Sequence, residues 1–194
     1  MRLKFLLILL LMGVLSACSI PRIIVLNDPL DARQHNDLGT SYEQREEYDL
    51  ALREYRRAAD LEEEWPLPLF NMGNVHAKQK QWSAAISAYQ EVLRLDPQSA
   101  QAANNLAWVL VESGDQEKGI SLAERAIALD DSSPDYWHTL AAVYLAAGRL
   151  KDSQRAARKG LSLEPAQAVR ESLQTTLQSG TDLLERQSTV APME

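Results

Sequence analysis

The sequence predicts an all-α protein, a solenoid of four helix–turn–helix units closed by a C-terminal capping helix. Small residues recur with a period of about 34 residues, at Gly39, Gly73, Ala107 and Ala141, each preceded by Leu or Met. The stretch 66–99 also has the pattern of two amphipathic helices with a break near Gln79–Gln81. A period of this length, built from paired amphipathic helices, is typical of helical solenoids, in which each unit packs on its neighbours.

The predicted units follow one another without a gap between Asp31 and Gln167. Asp31 is the predicted N-cap of the first helix, which is expected near Ala32–Gln44 and is paired with a second near Tyr48–Leu61. The four repeats are predicted at 32–65, 66–99, 100–133 and 134–167. Pro66 and Pro134 stand where helices begin, a position that tolerates the missing N–H. Gly114 and Gly148 mark the turns inside the last two units.

An amphipathic stretch after Pro165 predicts the capping helix, at 168–187. Its apolar residues, which we expect to cover the last repeat, are Val169, Leu173, Leu177, Leu183 and Leu184. Gly180 is expected to bend or end this helix. Residues 188–194 are predicted to be a disordered tail.

The first residues have the pattern of an export signal. Arg2 and Lys4 precede an apolar run that is too short to span a bilayer stably, so residues 1–17 are predicted to be a signal peptide. The run ends Leu-Ser-Ala-Cys18, which resembles the lipobox of bacterial lipoproteins. The resemblance implies acyl chains (palmitate or similar) on Cys18 after cleavage, and Ser19 implies the periplasmic face of the outer membrane. The alternative is an ordinary secretory signal that leaves Cys18 free.

Residues 18–31 are predicted to be the lipidated cysteine and a short tether. The apolar run Ile23–Leu26 lies in it, between Pro21 and Pro29. One interpretation places this run against the first helices of its own solenoid. In the other, it docks into a partner or a neighbouring chain.

Composition excludes several classes of function. The 194-residue chain has a formal net charge of −7, whereas a nucleic-acid-binding protein would show a basic stripe. The single cysteine allows no intramolecular disulfide. His35, His76 and His138 occupy different positions in different repeats and lack metal-ligand spacing. No serine elbow, glycine-rich phosphate loop or cysteine pair is present, so we predict no enzyme, no metal and no cofactor.

The repeats resemble the tetratricopeptide family, whose pattern is W-x₂-L-G-x₂-Y, then A-x₃-F, then P. The matching segments are Trp137-x₂-Leu140-Ala141-x₂-Tyr144, Leu38-Gly39-x₂-Tyr42, Ala51-x₃-Tyr55, Met72-Gly73, Ala85-x₃-Tyr89 and Pro97. The resemblance covers residues 32–167. It implies a right-handed superhelix that binds a protein segment in its concave groove.

The resemblance also implies which residues line that groove. Carried over onto this sequence, the partner-binding positions are Asn36, Thr40, Phe70, Asn74, Asn104, Asn105, Trp108 and His138. Asn74 and Asn105 match the positions that hold a peptide backbone in carboxylate-clamp members of the family. Phe70, Asp135 and Thr139 stand where those members carry their clamp cations. Recognition of an acidic C-terminal tail is therefore not expected.

Together these features predict a non-catalytic scaffold, anchored by Cys18, that binds a protein or peptide of the bacterial envelope. Lipoproteins of this build include secretin pilotins and adaptors for hydrolases or proteases. The alternative is a self-associating structural lipoprotein, a homo-oligomer whose groove holds its own or a neighbour's N-terminal segment. On that alternative, deletion of residues 19–30 yields a monomer with an open groove.

Overall fold

The computed structural model describes the backbone of residues 28–190 and the side chains of residues 28–187. The predicted signal peptide, Cys18 and most of the tether lie outside the described residues. In the described range the secondary structure consists of α-helices joined by short connections. These helices are α1 (Ala32–Gln44), α2 (Tyr48–Leu61), α3 (Pro66–Lys78), α4 (Trp82–Leu95), α5 (Ala100–Glu112), α6 (Gln116–Leu129), α7 (Pro134–Ala146), α8 (Leu150–Leu161) and α9 (Gln167–Val190).

The helices form four pairs followed by α9, as the period predicts. Each helix packs against the next one along the chain, and the first helices of neighbouring pairs also touch. Asp31 is confirmed as the N-cap of α1: its carboxylate accepts from the Gln34 N–H at 2.8 Å, and the Gln34 side chain accepts from the Asp31 N–H at 2.9 Å. This reciprocal capping box satisfies two N–H groups that an uncapped helix start would leave unpaired.

The periodic small residues lie where the two helices of a pair cross. A Cβ atom added to Gly39 would lie 2.6 Å from the ring of Tyr55, and one added to Gly73 would lie 2.6 Å from the ring of Tyr89. The third and fourth pairs fill the same crossing with two alanines each. These are Ala107 with Ala123 and Ala141 with Ala157, all fully buried. The crossing is therefore occupied by a tyrosine ring beneath a glycine in the first two pairs and by two alanines in the last two.

The turns inside the pairs share one backbone conformation. Glu46, Lys80, Gly114 and Gly148, again spaced by the repeat period, all have positive φ angles, between 57° and 100°. Glycine adopts this left-handed region without steric cost, which confirms Gly114 and Gly148 as turn residues. The first two turns place Glu46 and Lys80 there at an energetic cost to the local backbone.

Helix α9 packs on α7 and α8 and covers the end of the array. Leu173 is fully buried, and Val169 and Leu177 pack beside it. Leu183 is 41% exposed, so this residue does not join the core as the sequence predicts. The helix runs through Gly180 to Val190, past the predicted end at 187, so the predicted tail begins inside it. Among the described helices, none is long and apolar enough to cross a membrane.

Candidate functional site

An open groove with a volume of about 410 Å³ crosses the first helices of all four pairs. Its walls come from α1, α3, α5 and α7, with one tyrosine from α4. The lining residues are Glu43, Asn74, Ala77, Lys78, Tyr89, Asn104, Asn105, Trp108 and Thr139. The groove therefore lies on the surface that the sequence predicts, across the middle of the array.

Three asparagines form a hydrogen-bonded relay along the groove floor. Asn104 Nδ2 donates to Asn105 Oδ1 at 3.3 Å, and Asn105 Nδ2 donates to Asn74 Oδ1 at 3.0 Å. Asn104 Oδ1 is buried and accepts from no donor within the described residues. A buried polar atom without a partner is uncommon and costs about 1–3 kcal/mol. The relay thus ends in an acceptor that the solenoid itself does not satisfy.

The hydroxyl group of Tyr89 holds the Asn74 end of the relay in place. Its ring lies under Gly73, and its hydroxyl passes between the helices to donate to Asn74 Oδ1 at 2.7 Å. Burial raises the pKa of Tyr89 to about 12, so the hydroxyl remains a donor at any physiological pH. The sequence identifies Tyr89 as a core residue only. The Tyr89 hydroxyl reaches Asn74 because Gly73, directly above the ring, has no side chain that would block it.

One indole provides the exposed apolar surface of the groove. Trp108 is 41% exposed, and its ring packs edge-on against Trp82, with the ring centroids 5.7 Å apart. Phe70, the other predicted aromatic contact, is half-buried and tilts against Tyr89 at a centroid distance of 5.8 Å. Phe70 therefore supports the floor of the groove, whereas Trp108 presents a face to solvent.

An ion pair closes the α1 side of the groove. Lys78 Nζ lies 2.6 Å from Glu43 Oε1, and the Tyr55 hydroxyl donates to Glu43 Oε2 at 2.7 Å. Lys78 is thus neutralised by a carboxylate that is itself held in place. Thr139, which stands at a clamp-cation position, lines the opposite side.

The predicted partner-binding residues separate into two groups. Asn74, Asn104, Asn105 and Trp108 meet in the groove. The others, Asn36, Thr40, Phe70 and His138, lie outside the groove lining and are engaged within the fold. Asn36 is buried and accepts from Asn71 Nδ2 at 2.9 Å, and the Thr40 hydroxyl donates to the Asn36 carbonyl at 3.1 Å and lies 3.3 Å from the Tyr55 hydroxyl.

His138 is covered by the capping helix. Its Nε2 atom lies 2.7 Å from Ser172 Oγ of α9, and burial lowers the pKa of the imidazole below its usual 6.5. The sequence predicts the capping helix, but the family positions alone assign His138 to the groove and do not show that this helix covers it.

We expect His138 to make the solenoid less stable in mild acid. Because its folded pKa is depressed, the unfolded chain binds a proton first, and stability falls as pH drops from 6.5 through the folded value. Chemical denaturation between pH 7.5 and 5 measures this loss, and the His138→Gln variant should show a smaller one. An equal pH dependence in the variant and the wild type would contradict the assignment.

A buried charged cluster at the N-terminal end was not predicted. His35 and Glu54 are each about 1% exposed, and His35 Nδ1 donates to Glu54 Oε2 at 2.8 Å. Arg53 and Arg57 both donate to the same carboxylate at 3.1 Å. Asp28 lies 3.4 Å from Arg57, so the end of the tether is held against this cluster.

The described residues contain no group of three or more side chains that could hold a metal ion.

The family model described as "Tetratricopeptide repeat" matches residues 70–134, and the fold resembles solved structures of repeat proteins. MamA from Desulfovibrio magneticus RS-1 is 19% identical, with a TM-score of 0.64 over 83% of this chain and 97% of that one. The fold is that of a tetratricopeptide solenoid.

Two further tetratricopeptide structures support the same conclusion. The Sgt2 domain from Aspergillus fumigatus is 25% identical, with a TM-score of 0.58 over 66% of this chain and 85% of that one. The first tetratricopeptide domain of Spaghetti (RPAP3), bound to the HSP90 peptide SRMEEVD, is 22% identical, with a TM-score of 0.57 over 62% and 93%. No curated protein matches the chain. These likenesses show the fold of the chain.

Proposed function

We propose that this chain is a non-catalytic scaffold that binds an extended segment of a partner protein in the groove between Asn74 and Trp108. The observation that carries the proposal is the unpaired Asn104 Oδ1 atom beside a half-exposed indole. Tetratricopeptide solenoids in general serve protein–protein interaction. Within this one, the groove combines unsatisfied polar groups with open apolar surface.

The asparagine relay is complementary to a peptide main chain. Asn104 Oδ1 needs a donor, which a partner N–H supplies. Asn74 Nδ2 donates to no atom within the described part of the chain, so it is available to a partner carbonyl. Amide side chains suit this pairing because each can donate and accept at once. Binding removes the cost of the unpaired acceptor, and the indole of Trp108 contributes apolar contact.

The charges around the groove favour a partner segment without an acidic end. Glu43 already neutralises Lys78, and the clamp-cation positions hold Phe70, Thr139 and the exposed Asp135. A terminal carboxylate would find no unpaired cation among the groove-lining residues. The HSP90 peptide seen in the Spaghetti domain ends in Asp, so this solenoid is expected to select a different chemistry.

We further propose that the solenoid works at the envelope membrane, where acyl chains on Cys18 hold it at the periplasmic face of the outer membrane. In that position the solenoid would assist secretin assembly or tether a hydrolase or protease. The motif ending in Cys18 supports the anchor. Intact-mass measurement of the mature chain tests it: we expect acyl chains on Cys18, and a Cys18→Ala variant should leave the membrane fraction. A free thiol at Cys18 would refute the anchor and leave the groove proposal standing.

The groove is tested by crosslinking pull-down from envelope fractions with Asn104→Ala/Trp108→Ala. Loss of a central indole and its polar neighbour should reduce capture of the groove partner by at least about tenfold. The matched control is Gln90→Ala/Trp65→Ala, which removes one amide and one indole outside the groove. Capture of the groove partner by the control should equal that by wild type.

Helicity and melting temperature must be unchanged in both variants for the comparison to hold. If the Asn104→Ala/Trp108→Ala variant captures the same protein as wild type, the groove is not the binding site. Equal losses in the groove and control variants would lead to the same conclusion.

A further inference from the structure

The second helices of the four pairs differ in charge. In α2, α4 and α6, basic and acidic residues are equal in number, whereas α8 has four basic residues and one acidic residue. The buried face of α8 is formed by Leu150, Ser153, Ala156, Ala157 and Gly160. The exposed basic face of α8, defined as Lys151, Arg155, Arg158 and Lys159, points to solvent.

Most of the basic side chains of α8 form no ion pair with another described residue of the solenoid. Asp152 pairs with Arg155 at 2.6 Å and with Arg149 at 2.8 Å. Lys151, Arg158 and Lys159 form no ion pair with any described residue. An array of unpaired cations on one exposed helix face, in a chain of net charge −7, concentrates positive potential at the fourth repeat.

The connection between α2 and α3 is acidic, whereas the exposed face of α8 is basic. Elsewhere Asp96 and Asp130 begin the inter-repeat connections, and each accepts from the N–H two residues on at 3.0 Å. The first connection instead reads Glu62-Glu63-Glu64-Trp65, and Trp65 occupies the N-cap without capping the helix. These carboxylates accept no hydrogen bond from described residues. The local turn therefore does not require this sequence.

Exposed leucines flank the same connection. Leu61 is 57% exposed and Leu67 is 42% exposed, among the few large apolar side chains in the described range that face water. Near the basic face, Leu183 is 41% exposed, and its neighbour Leu184 borders a depression of about 260 Å³ with Lys151 and Asp152. Each charged patch thus includes or adjoins apolar surface that a protein contact would bury.

We propose that the acidic turn 61–67 of one copy docks on the exposed basic face of α8 in a second copy. The occupant is argued from charge complementarity: three unpaired carboxylates meet three unpaired cations, with leucines on both sides. Within one chain the first connection and α8 belong to different ends of the array and do not touch. The contact is therefore intermolecular and head-to-tail, and it leaves one patch of each kind free for a further copy.

This contact is independent of the partner-binding groove. It uses second helices and an inter-repeat turn, whereas the groove is formed mainly by first helices. A head-to-tail assembly would align several open grooves along one membrane surface. Self-association of this kind also differs from filling the groove with an N-terminal segment, because it leaves Trp108 uncovered.

The test is sedimentation velocity of the full chain in a neutral detergent with paired charge reversals. One variant carries Glu62→Lys, Glu63→Lys and Glu64→Lys, and the other carries Lys151→Glu, Arg158→Glu and Lys159→Glu. Each variant alone should associate at least about tenfold more weakly than wild type, whereas their equimolar mixture should form hetero-complexes. Raising salt from about 0.1 M to about 1 M should weaken wild-type association because the Debye length falls from about 10 Å to about 3 Å.

Asp37→Lys/Glu112→Lys/Glu164→Lys is the matched control, since it reverses three exposed carboxylates elsewhere and should associate like wild type. If the α8 reversal unfolds the chain, Lys151→Gln/Arg158→Gln/Lys159→Gln replaces it. Failure of the mixed variants to associate overturns the proposal. So does retention of wild-type self-association by the α8 variant while it loses binding to phosphatidylglycerol vesicles, which would assign the basic face to an anionic membrane.

Discussion

Replacing Gly73 by alanine is expected to lower the free energy of unfolding by about 1–3 kcal/mol. The added Cβ would lie 2.6 Å from Cε1 and 2.8 Å from Cδ1 of Tyr89. Tyr89 is about 1% exposed and packs against Phe70, so its ring has little space into which to move. Thermal and chemical denaturation followed by circular dichroism measure the loss.

Gly180→Ala is the matched control, because it adds the same methyl group to a glycine inside a helix. There the nearest atom to the new Cβ is Gln154 Cγ at 3.4 Å, an ordinary contact. Alanine loses less backbone entropy than glycine on helix formation, so this variant should gain about 0.5–1 kcal/mol. If both variants shift stability in the same direction, the close crossing does not control the effect at Gly73.

The Gly73 variant should also weaken the groove, although residue 73 does not line it. Movement of the Tyr89 ring displaces the hydroxyl that holds Asn74 Oδ1 at 2.7 Å. The equivalent glycine, Gly39, lies over Tyr55, whose hydroxyl reaches Thr40 and Glu43. The same side chain therefore fills the crossing and orients the polar residues above it.

The period of the small residues was enough to predict the solenoid, because each repeat brings the same positions to the same crossing. The pairing of residues at that crossing was also present in the sequence. Glycine at 39 and 73 occurs with tyrosine 16 residues later, and alanine at 107 and 141 occurs with alanine at that spacing. Sequence reasoning treated the two positions separately and so did not predict the tyrosine hydroxyls in the polar network.

The sequence predicted which residues line the centre of the groove, but it was less successful for the residues at the two ends of the array. Interior repeats have a neighbour on each side, so family positions transfer directly to Asn74, Asn104, Asn105 and Trp108. Terminal repeats are covered by segments that do not follow the period. Ser172 of α9 contacts His138 for this reason. Asn36 is engaged instead by Asn71 of the next helix pair, a contact inside the periodic array.

The buried cluster at the N-terminal end predicts the second large effect. Glu54→Ala should lower the free energy of unfolding by roughly 2–4 kcal/mol, because it leaves the buried His35 without the acceptor that its Nδ1–H contacts at 2.8 Å. Arg53 and Arg57 are about half exposed and can return to water, which keeps the loss below that of a fully enclosed charge pair. Denaturant unfolding at pH 7 measures it, and Glu91→Ala, which breaks only a surface pair with Arg94, should cost much less.

The pH dependence separates the ion pair from simple loss of packing. Burial alone would raise the pKa of Glu54, but the hydrogen bonds from His35, Arg53 and Arg57 together outweigh it and hold the pKa below the usual 4.5. The corresponding stability is present above pH 4.5 and is lost as pH falls through the folded value. The free energy of unfolding of the Glu54→Ala variant should therefore fall less steeply below pH 4.5 than that of the wild type.

The double variant His35→Leu/Glu54→Leu should recover most of the stability, because replacing both partners of a buried hydrogen bond by well-packed apolar residues is often nearly neutral. A double variant as unstable as Glu54→Ala would mean that Asp28 and the arginines depend on this carboxylate. In that case the cluster would hold the end of the tether on the solenoid as well as filling the core.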